Sequence, residues 1–377
     1  MKILHVISTL DVGGAEMHIL SQVRGQVARG HEVRVIGLIG QATLKPDFLA
    51  AGARGVTLVG SGPAALLRLR AHMRQADVIH THLLRADFVG AAAALLWGRR
   101  KRLISGKHND ERALQRGWFA RLHGLIGRLP VRTIVLSDHV ARYMREVGRL
   151  SGKGMVTIHY GVDPAPIEAA CAQDPETRAA LRRELGAEPG DVVWICVARL
   201  APQKAHDVLL EALAQARDRW QGPGRLRLWI VGDDPFGDGR ARVTGWAQER
   251  GLLADGSAVL TGIRRDVPAL LAAADGFVMP SRWEGLGLVF LEAMAARLPV
   301  LSTAVSAIPE VVVDGETGRL VPPDDTRALA DAWLELSADV ERRAAMGAAG
   351  AQRVRAHFAP DRMVESTLAV YREVAGQ

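Results

Sequence analysis

Two glutamates, Glu284 and Glu292, stand with seven residues between them in the stretch Pro280-Ser281-Arg282-Trp283-Glu284-Gly285-Leu286-Gly287-Leu288-Val289-Phe290-Leu291-Glu292. An ionised carboxylate accepts strongly at each oxygen and can bridge neighbouring hydroxyls, which is the chemistry of sugar recognition. A helix opening at Gly287 would leave the N–H groups of Leu288 and Val289 free for a phosphate. Glu292 falls in the otherwise apolar run 286–295, where a carboxylate needs a partner; a solvated helix face is the plain alternative. Upstream, a β-rich run ends in Arg199-Leu200-Ala201-Pro202-Gln203-Lys204. Arg199 offers a planar fork and Lys204 a point charge, together enough to neutralise a diphosphate, unless both are simply solvated. Gly13 and Gly14 separate the first strand from the first helix, where backbone can approach a ligand and a helix start can face an anion. They also suit an ordinary tight turn, and the Gly-x-Gly-x-x-Gly dinucleotide fingerprint is absent.

Histidines close two further strands, His80 and His82 in one and His108 after another. A His-x-His pair could hold a metal, but no carboxylate or cysteine accompanies it at ligand spacing and strand alternation points both rings to one side. No metal site is expected. His108 can hydrogen-bond a substrate hydroxyl or a developing charge, or stand idle.

The elements that must position these residues alternate. Strands are predicted at 3–8, 33–38, 56–59, 78–81, 102–105, 133–136 and 156–159, with a helix over 14–29 that Gly30 ends. A break follows at Asp163-Pro164-Ala165-Pro166, and a charged helical segment runs to about residue 189. The pattern then resumes, with strands at 192–198, 226–231, 258–261, 276–279, 300–303 and 319–321. Strands alternating with helices mean βαβ units, so the expected fold is α/β, two doubly wound parallel sheets with a cleft between them. Ligands then sit beyond the carboxyl ends of strands, in loops such as 9–16, 80–84 and 199–206.

Composition narrows the class. The 377 residues are 48% hydrophobic and 24% charged, which excludes general disorder. Two cysteines, Cys171 and Cys196, give neither a disulfide framework nor a cysteine-based zinc site and fit a reducing cytosol. The N-terminus reads as a strand, and the most apolar window, 88–97, is too short to span a bilayer. The protein is therefore expected to be cytoplasmic, neither exported nor transmembrane. Residues 1–165 hold 24 Lys and Arg against 11 Asp and Glu, so the formal charge of +7 is concentrated in the first half. Such a half could face an anionic partner, or be a solvated arginine-rich surface. Within it, Arg99-Arg100-Lys101-Arg102 precedes a predicted amphipathic helix over 111–129. Leu114, Trp118, Leu122, Leu125 and Leu129 form its stripe, with Arg112, Arg116, Arg121 and Arg128 among the other positions. That helix could lie in an anionic membrane interface or pack on its sheet. Without a basic tail or a reading module, no nucleic-acid partner is expected.

Together these segments resemble the retaining glycosyltransferases of family 4, which have the GT-B fold. The most specific part is an ordered set: Thr261-Gly262-Ile263-Arg264, the Glu284 and Glu292 pair, Ile308-Pro309-Glu310 and Asp314-Gly315-Glu316-Thr317-Gly318. Gly30-His31-Glu32-Val33, Gly161-Val162-Asp163 and a closing helix over 361–374 agree with it.

The resemblance implies two Rossmann-like domains facing each other across a cleft: 1–164 binding the acceptor, joined by a C-terminal helix (361–377), and 165–360 binding the nucleotide-sugar donor. It implies that Arg199 and Lys204 hold the donor diphosphate, helped by backbone at Gly13, Gly14, Gly287, Leu288 and Val289. Glu284 would contact the transferred sugar, Glu292 the ribose, and backbone near Ile263 and Arg264 the base. His108 would be the cleft histidine beside the reacting centre. The implied reaction is metal-independent hexosyl transfer with retention, needing no cofactor, from a nucleotide-diphosphate sugar (a UDP-sugar is expected) to a glycan or lipid-linked acceptor. Its setting would be polysaccharide, lipopolysaccharide or glycolipid synthesis, with peripheral contact to anionic membrane. A synthase or phosphorylase with a soluble acceptor and a non-catalytic sugar-nucleotide-binding partner are the alternatives. The chain departs from the family pattern at Ala205, where Gly often follows the Lys, and at Tyr160, where Asn often precedes Gly-Val-Asp. It departs again at Val305-Ser306-Ala307, which replaces a double glycine, and at Asp233-Asp234 after Gly232.

Overall fold

Short β-branched runs bounded by glycine and polar turns form two parallel sheets in a computed structural model of the chain, which describes residues 1–60, 62–234 and 237–376. The chain divides into two compact units, Met1–Val162 with the segment from Phe358 onward, and Asp163–His357.

In the first unit the strands are β1 (Lys2–Ile7), β2 (Glu32–Gly37), β3 (Gly55–Leu58), β4 (Val78–His82), β5 (Leu103–Lys107), β6 (Arg132–Val135) and β7 (Met155–Thr157). They pair in the order β3-β2-β1-β4-β5-β6-β7, all parallel. The central pair sets His5 of β1 opposite His80 of β4. Because side chains alternate along a strand, His5, His80 and His82 share one face. That face is covered by the first helix, Gly14–Ala28, and by the C-terminal helix, Pro360–Ala375, which pack on each other. Gly25 makes this possible: a Cβ there would lie 2.5 Å from Val364 Cγ2. Arg29 ties the two helices with ion pairs to Asp361 (2.8 Å) and Glu365 (2.5 Å). Beneath them Ile3, Val23, Val33, Met363, Leu368 and Tyr371 belong to one buried core.

In the second unit β8 (Val192–Val197), β9 (Leu226–Val231), β10 (Ala258–Gly262), β11 (Gly276–Met279), β12 (Val300–Thr303) and β13 (Gly318–Val321) pair in the order β10-β9-β8-β11-β12-β13. In both sheets the order reverses beside the first strand, between β1 and β4 and between β8 and β11. Loops at that reversal are where open α/β sheets hold ligands.

The strands fall where the sequence predicts them, within one or two residues. The amphipathic helix expected over 111–129 does not form as one piece. A 3₁₀ turn over Arg112–Gln115 precedes a helix only from Gly117 to Ile126. The expected stripe splits with it: Leu114 is buried and Leu129 half-buried, whereas Trp118, Leu122 and Leu125 are exposed. Ala120 and His123 turn inward instead, and Phe119 stacks on Phe88 with ring centroids 5.4 Å apart. No helix among the described residues is long and apolar enough to cross a membrane.

Candidate active site

In the second unit two loops interlock beyond β8 and β11. Gln203 donates to Trp283 O (2.8 Å), and the Arg282 amide returns a bond to Gln203 O (2.8 Å). Arg282 forks onto both oxygens of Asp207 (2.6 and 3.1 Å) and reaches Asp324 (2.7 Å). This lattice brings Lys204 and Glu284 into a direct ion pair, both largely buried, and Ser281 Oγ donates to the same Glu284 oxygen at 2.8 Å. Lys204 is therefore not the free cation that the sequence pattern implies. The ammonium keeps two further donors and the carboxylate a second oxygen, so each can still meet a ligand. Arg199 lies exposed at the end of the β8 strand.

Gly287 caps the helix Leu288–Ala295 at φ +81°, a left-handed conformation that favours glycine. Leu288, Val289 and Glu292 are half-buried on that helix. Burial pushes the Glu292 carboxyl up to about 6, and no cation among the described residues lies against it to favour the charged form. Past β10, Ile263 is exposed, and the Arg264 side chain is turned to Asp266 (2.6 Å) and Glu184 (2.8 Å).

In the first unit Gly13 precedes the first helix in extended backbone, and the Glu16 side chain folds back over it. Thr9 Oγ1 donates to Glu16 Oε1 at 2.5 Å. His108 follows β5 and has both ring nitrogens engaged, Nε2 with His82 Nδ1 (2.9 Å) and Nδ1 with the Tyr160 hydroxyl (2.7 Å). A substrate hydroxyl can therefore reach His108 only by displacing one of these partners. Behind it His82 meets His5 (2.9 Å), His5 meets Gln26 (2.9 Å), and His80 meets the Tyr371 hydroxyl (2.6 Å). Burial holds all of these imidazoles neutral: His5 is pushed down to about 4, His108 to about 3 with help from the Lys107 charge, and His18, His80 and His82 well below the usual value.

Ring nitrogens of His5, His80 and His82 lie within 4.8 Å of one another, close enough for a metal to bridge. Those of His5 and His82 are already spent on each other and their neighbours, so the arrangement serves a hydrogen-bond network better than a metal. Beside it Lys107 pairs with Asp87 (2.5 Å) and donates to His123 Nε2 (3.0 Å). The sequence pattern misses His5, His18, Gln22, Gln26 and this lysine pair. The register of β1 against β4 is the signal that would have brought His5 to His80.

Residues 12–166 match the Glycosyltransferase Family 4 profile and residues 191–339 that of the Glycosyl transferases group 1. The chain is 32% identical over 369 residues to a GDP-mannose-dependent alpha-(1-6)-phosphatidylinositol monomannoside mannosyltransferase of Mycolicibacterium smegmatis, covering 90% of this chain and 89% of that one. It belongs to glycosyltransferase family 4. A D-inositol 3-phosphate glycosyltransferase of Salinispora arenicola is 29% identical, over 98% of this chain and 89% of its own. The fold of this glycosyltransferase is GT-B. It aligns with a crystal structure of Anabaena HepE in complex with UDP and glucose at a TM-score of 0.86, with 21% identity and 98% of each chain covered. A nucleotide-sugar donor is what such an enzyme uses.

Proposed function

We propose that this glycosyltransferase moves a hexosyl group from a nucleoside-diphosphate sugar to a hydroxyl of a lipid-linked glycan, with retention at the anomeric carbon and without a metal ion. The observation that carries this reading is the Lys204–Glu284–Ser281 cluster, with exposed Arg199 at the start of the Lys204 loop, where a doubly wound sheet holds its ligand. Residues 165–360 would bind the donor. Breaking the sugar–phosphate bond builds negative charge on the leaving diphosphate. Arg199, the two remaining donors of Lys204, and the amides of Leu288 and Val289 would stabilise it electrostatically, the task a divalent ion performs elsewhere. Glu292 would accept from the ribose hydroxyls and the backbone at Ile263 and Arg264 would meet the base.

Glu284 would position the sugar and not attack it. Its Oε1 is held by an ammonium and a hydroxyl, which draws charge from the nucleophile that a double displacement needs. Proton transfer then falls to the leaving phosphate on the same face. Mass spectrometry should find no sugar bound covalently to Glu284 after turnover; a trapped adduct would overturn the front-face route.

Residues 1–164 and the C-terminal helix would supply the acceptor side, with Gly13, Gly14 and His108 as this unit's candidate ligand contacts. Exposed Trp118, Leu122 and Leu125, flanked by exposed Arg116, Arg121 and Arg128, favour a peripheral seat on the cytoplasmic face of an anionic membrane. The Mycolicibacterium relative, named for a phosphatidylinositol monomannoside, fits a lipid acceptor. A second reading, a soluble sugar-phosphate acceptor, is favoured by the relative named for D-inositol 3-phosphate. Binding to anionic vesicles at low salt, lost in Trp118→Ser/Leu125→Ser, is expected for the first reading; no binding selects the second. The donor is tested by thermal shift with UDP-, GDP-, ADP- and dTDP-sugars, since stabilisation grows with the logarithm of saturation. A UDP-sugar and GDP-mannose are the leading arms, and no shift with any donor would end the proposal.

A further inference from the structure

The order of protons along the chain that ends at His108 is fixed from its far end. Thr367 Oγ1 donates to Met363 O at 2.9 Å, and a backbone carbonyl can only accept. With its proton spent there, Thr367 Oγ1 accepts from Gln22 Nε2 at 2.9 Å. Gln22 therefore turns its oxygen to Gln26 and accepts from Gln26 Nε2 at 3.2 Å. This leaves Gln26 Oε1 facing His5 Nε2 at 2.9 Å. An amide oxygen only accepts, so His5 carries its proton on Nε2 and its Nδ1 accepts from His82 Nε2–H. By the same step His82 Nδ1 accepts from His108 Nε2–H, and His108 Nδ1 is left as an acceptor, filled by the Tyr160 hydroxyl. A neutral imidazole has one donor and one acceptor, so one choice at Thr367 passes through three rings.

We propose that Thr367 on the C-terminal helix is a positioning residue for His108: through Gln22, Gln26, His5 and His82 it holds His108 as the Nε2–H tautomer, so that the nitrogen facing Tyr160, Nδ1, presents a lone pair to a ligand hydroxyl. A lone pair there accepts a hydrogen bond from a sugar hydroxyl and repels a phosphate oxygen, whereas the opposite tautomer would donate to the phosphate oxygen. The wiring thus assigns His108 to the sugar and not to the diphosphate, and it rests on the reading of His108 as a substrate-facing residue. Gly106 is what lets the rings lie so close against the sheet. A Cβ on Gly106 would lie 2.8 Å from His80 Nε2 and 3.0 Å from both His108 Nε2 and His82 Nδ1. Reversing the proton order requires the Thr367 hydroxyl to abandon Met363 O for Gln22, the loss of one neutral hydrogen bond. That sustains a population ratio of about five- to tenfold in favour of the order described.

The test compares Thr367→Val, which keeps the shape and removes the hydroxyl, with Thr367→Ser, which keeps the hydroxyl, in the full chain with isotope-labelled histidine. Imidazole nitrogen shifts at neutral pH should place the proton of His5, His82 and His108 on Nε2 in the unsubstituted chain and in Thr367→Ser. In Thr367→Val the three rings should shift together to a mixture of both tautomers. Sugar transfer should fall about two- to fivefold in kcat with little change in donor KM, and recover in Thr367→Ser. Three rings that remain wholly Nε2–H in Thr367→Val would overturn the proposal. If that variant does not fold, an Nδ1–H proton on His108 in the unsubstituted chain overturns it, and an Nε2–H there with Thr367→Ser unchanged supports it. The nitrogen spectra need no turnover, so a chain that transfers no sugar refutes the functional reading while the tautomer result still stands or falls by itself.

Discussion

The two units share a strand order and differ in what they bury at the point where that order reverses. Between β1 and β4 the first unit sets neutral imidazoles, His5, His80 and His82, in one hydrogen-bonded cluster with Gln26 and Tyr371. Beyond β8 and β11 the second unit sets a charged pair, Lys204 with Glu284, in a frame of further pairs such as Arg282 with Asp207. Among the described residues the first unit does bury one ion pair, Asp87 with Lys107 of the neighbouring strand. The difference teaches a division of labour. Charge placed at a developing diphosphate stabilises it directly, whereas a neutral network can only choose which atoms donate and which accept.

The largest effect should come from breaking the charged side. Arg199→Ala and Lys204→Ala should each lower turnover by about 100-fold, comparable with loss of one transition-state donor. Near-normal steady-state rates in both would remove the diphosphate role. Lys204→Met should also destabilise the second unit by about 3–5 kcal/mol, because it strands a buried carboxylate. Adding Glu284→Gln should restore much of that stability in urea unfolding while restoring none of the turnover.

Acid separates the units next. Burial pushes His5 from 6.5 down to about 4, so an unfolded chain takes up protons that the folded one refuses. The stability contributed by the neutral ring is complete above pH 6.5 and is lost as pH falls toward about 4. His5 alone is linked to about 3 kcal/mol over that window, and His18, His80, His82, His108 and His123 are lowered in the same sense. The second unit holds one comparable ring, His206, pushed down to about 4 by burial. Its Asp191 stays ionised below the usual range: burial works the other way, but amides of Glu188 and Arg225 and the Arg227 guanidinium outweigh it. Hydrogen exchange corrected for intrinsic rates should show residues 1–162 losing protection first on acidification. Simultaneous loss in both units would break the contrast.

How much of this was legible in the sequence follows the same divide. Both sheets could be read because parallel strands buried on two faces are apolar runs with sharp polar ends. The two loops of the second unit could be located because each hangs on a single strand end. Their mutual pairing could not, since Lys204 and Glu284 meet through folding across 80 positions. His80 and His82 were visible as a pair on one side of a strand, but their partners His5, Gln22 and Gln26 come from β1 and the first helix, where no local spacing marks them. The helix over 117–126 was over-extended because the apolar spacing carries through Arg116, where the backbone is extended between the 3₁₀ turn and the helix. Tyr160, noted only as a departure, proves to be the hydrogen-bond partner of His108 Nδ1.

Glu292 sharpens the comparison from the other side, as a half-buried acid with no cation against it among the described residues. Its carboxyl is raised from 4.5 to about 6 by burial, so the ionised form costs stability that is present below 4.5 and lost as pH rises through 6. Glu292→Gln should stabilise the second unit at neutral pH by up to about 2 kcal/mol. The same change should weaken donor binding several-fold, because the ribose loses a charged acceptor. Calorimetric titration with the donor across pH 5 to 8 should show affinity rising through about 6 in the unsubstituted chain and flat in Glu292→Gln. A variant both less stable and unchanged in affinity would place the residue outside the site.

The smallest effect concerns the residue that follows Lys204. Ala205 sits at φ +51° and ψ +47°, a left-handed conformation in which a Cβ crowds the following carbonyl. That strain costs about 1–2 kcal/mol for an L-residue. Glycine would remove it, and its greater freedom in the unfolded chain would take back about 0.4–1 kcal/mol. Ala205→Gly should therefore gain about 0.5–1 kcal/mol in urea unfolding, with turnover unchanged if the Lys204 loop is already held by Gln203, Trp283 and Arg282. A several-fold fall in turnover would mean instead that the strained alanine, and not the lattice of ion pairs, keeps Lys204 in register with Glu284.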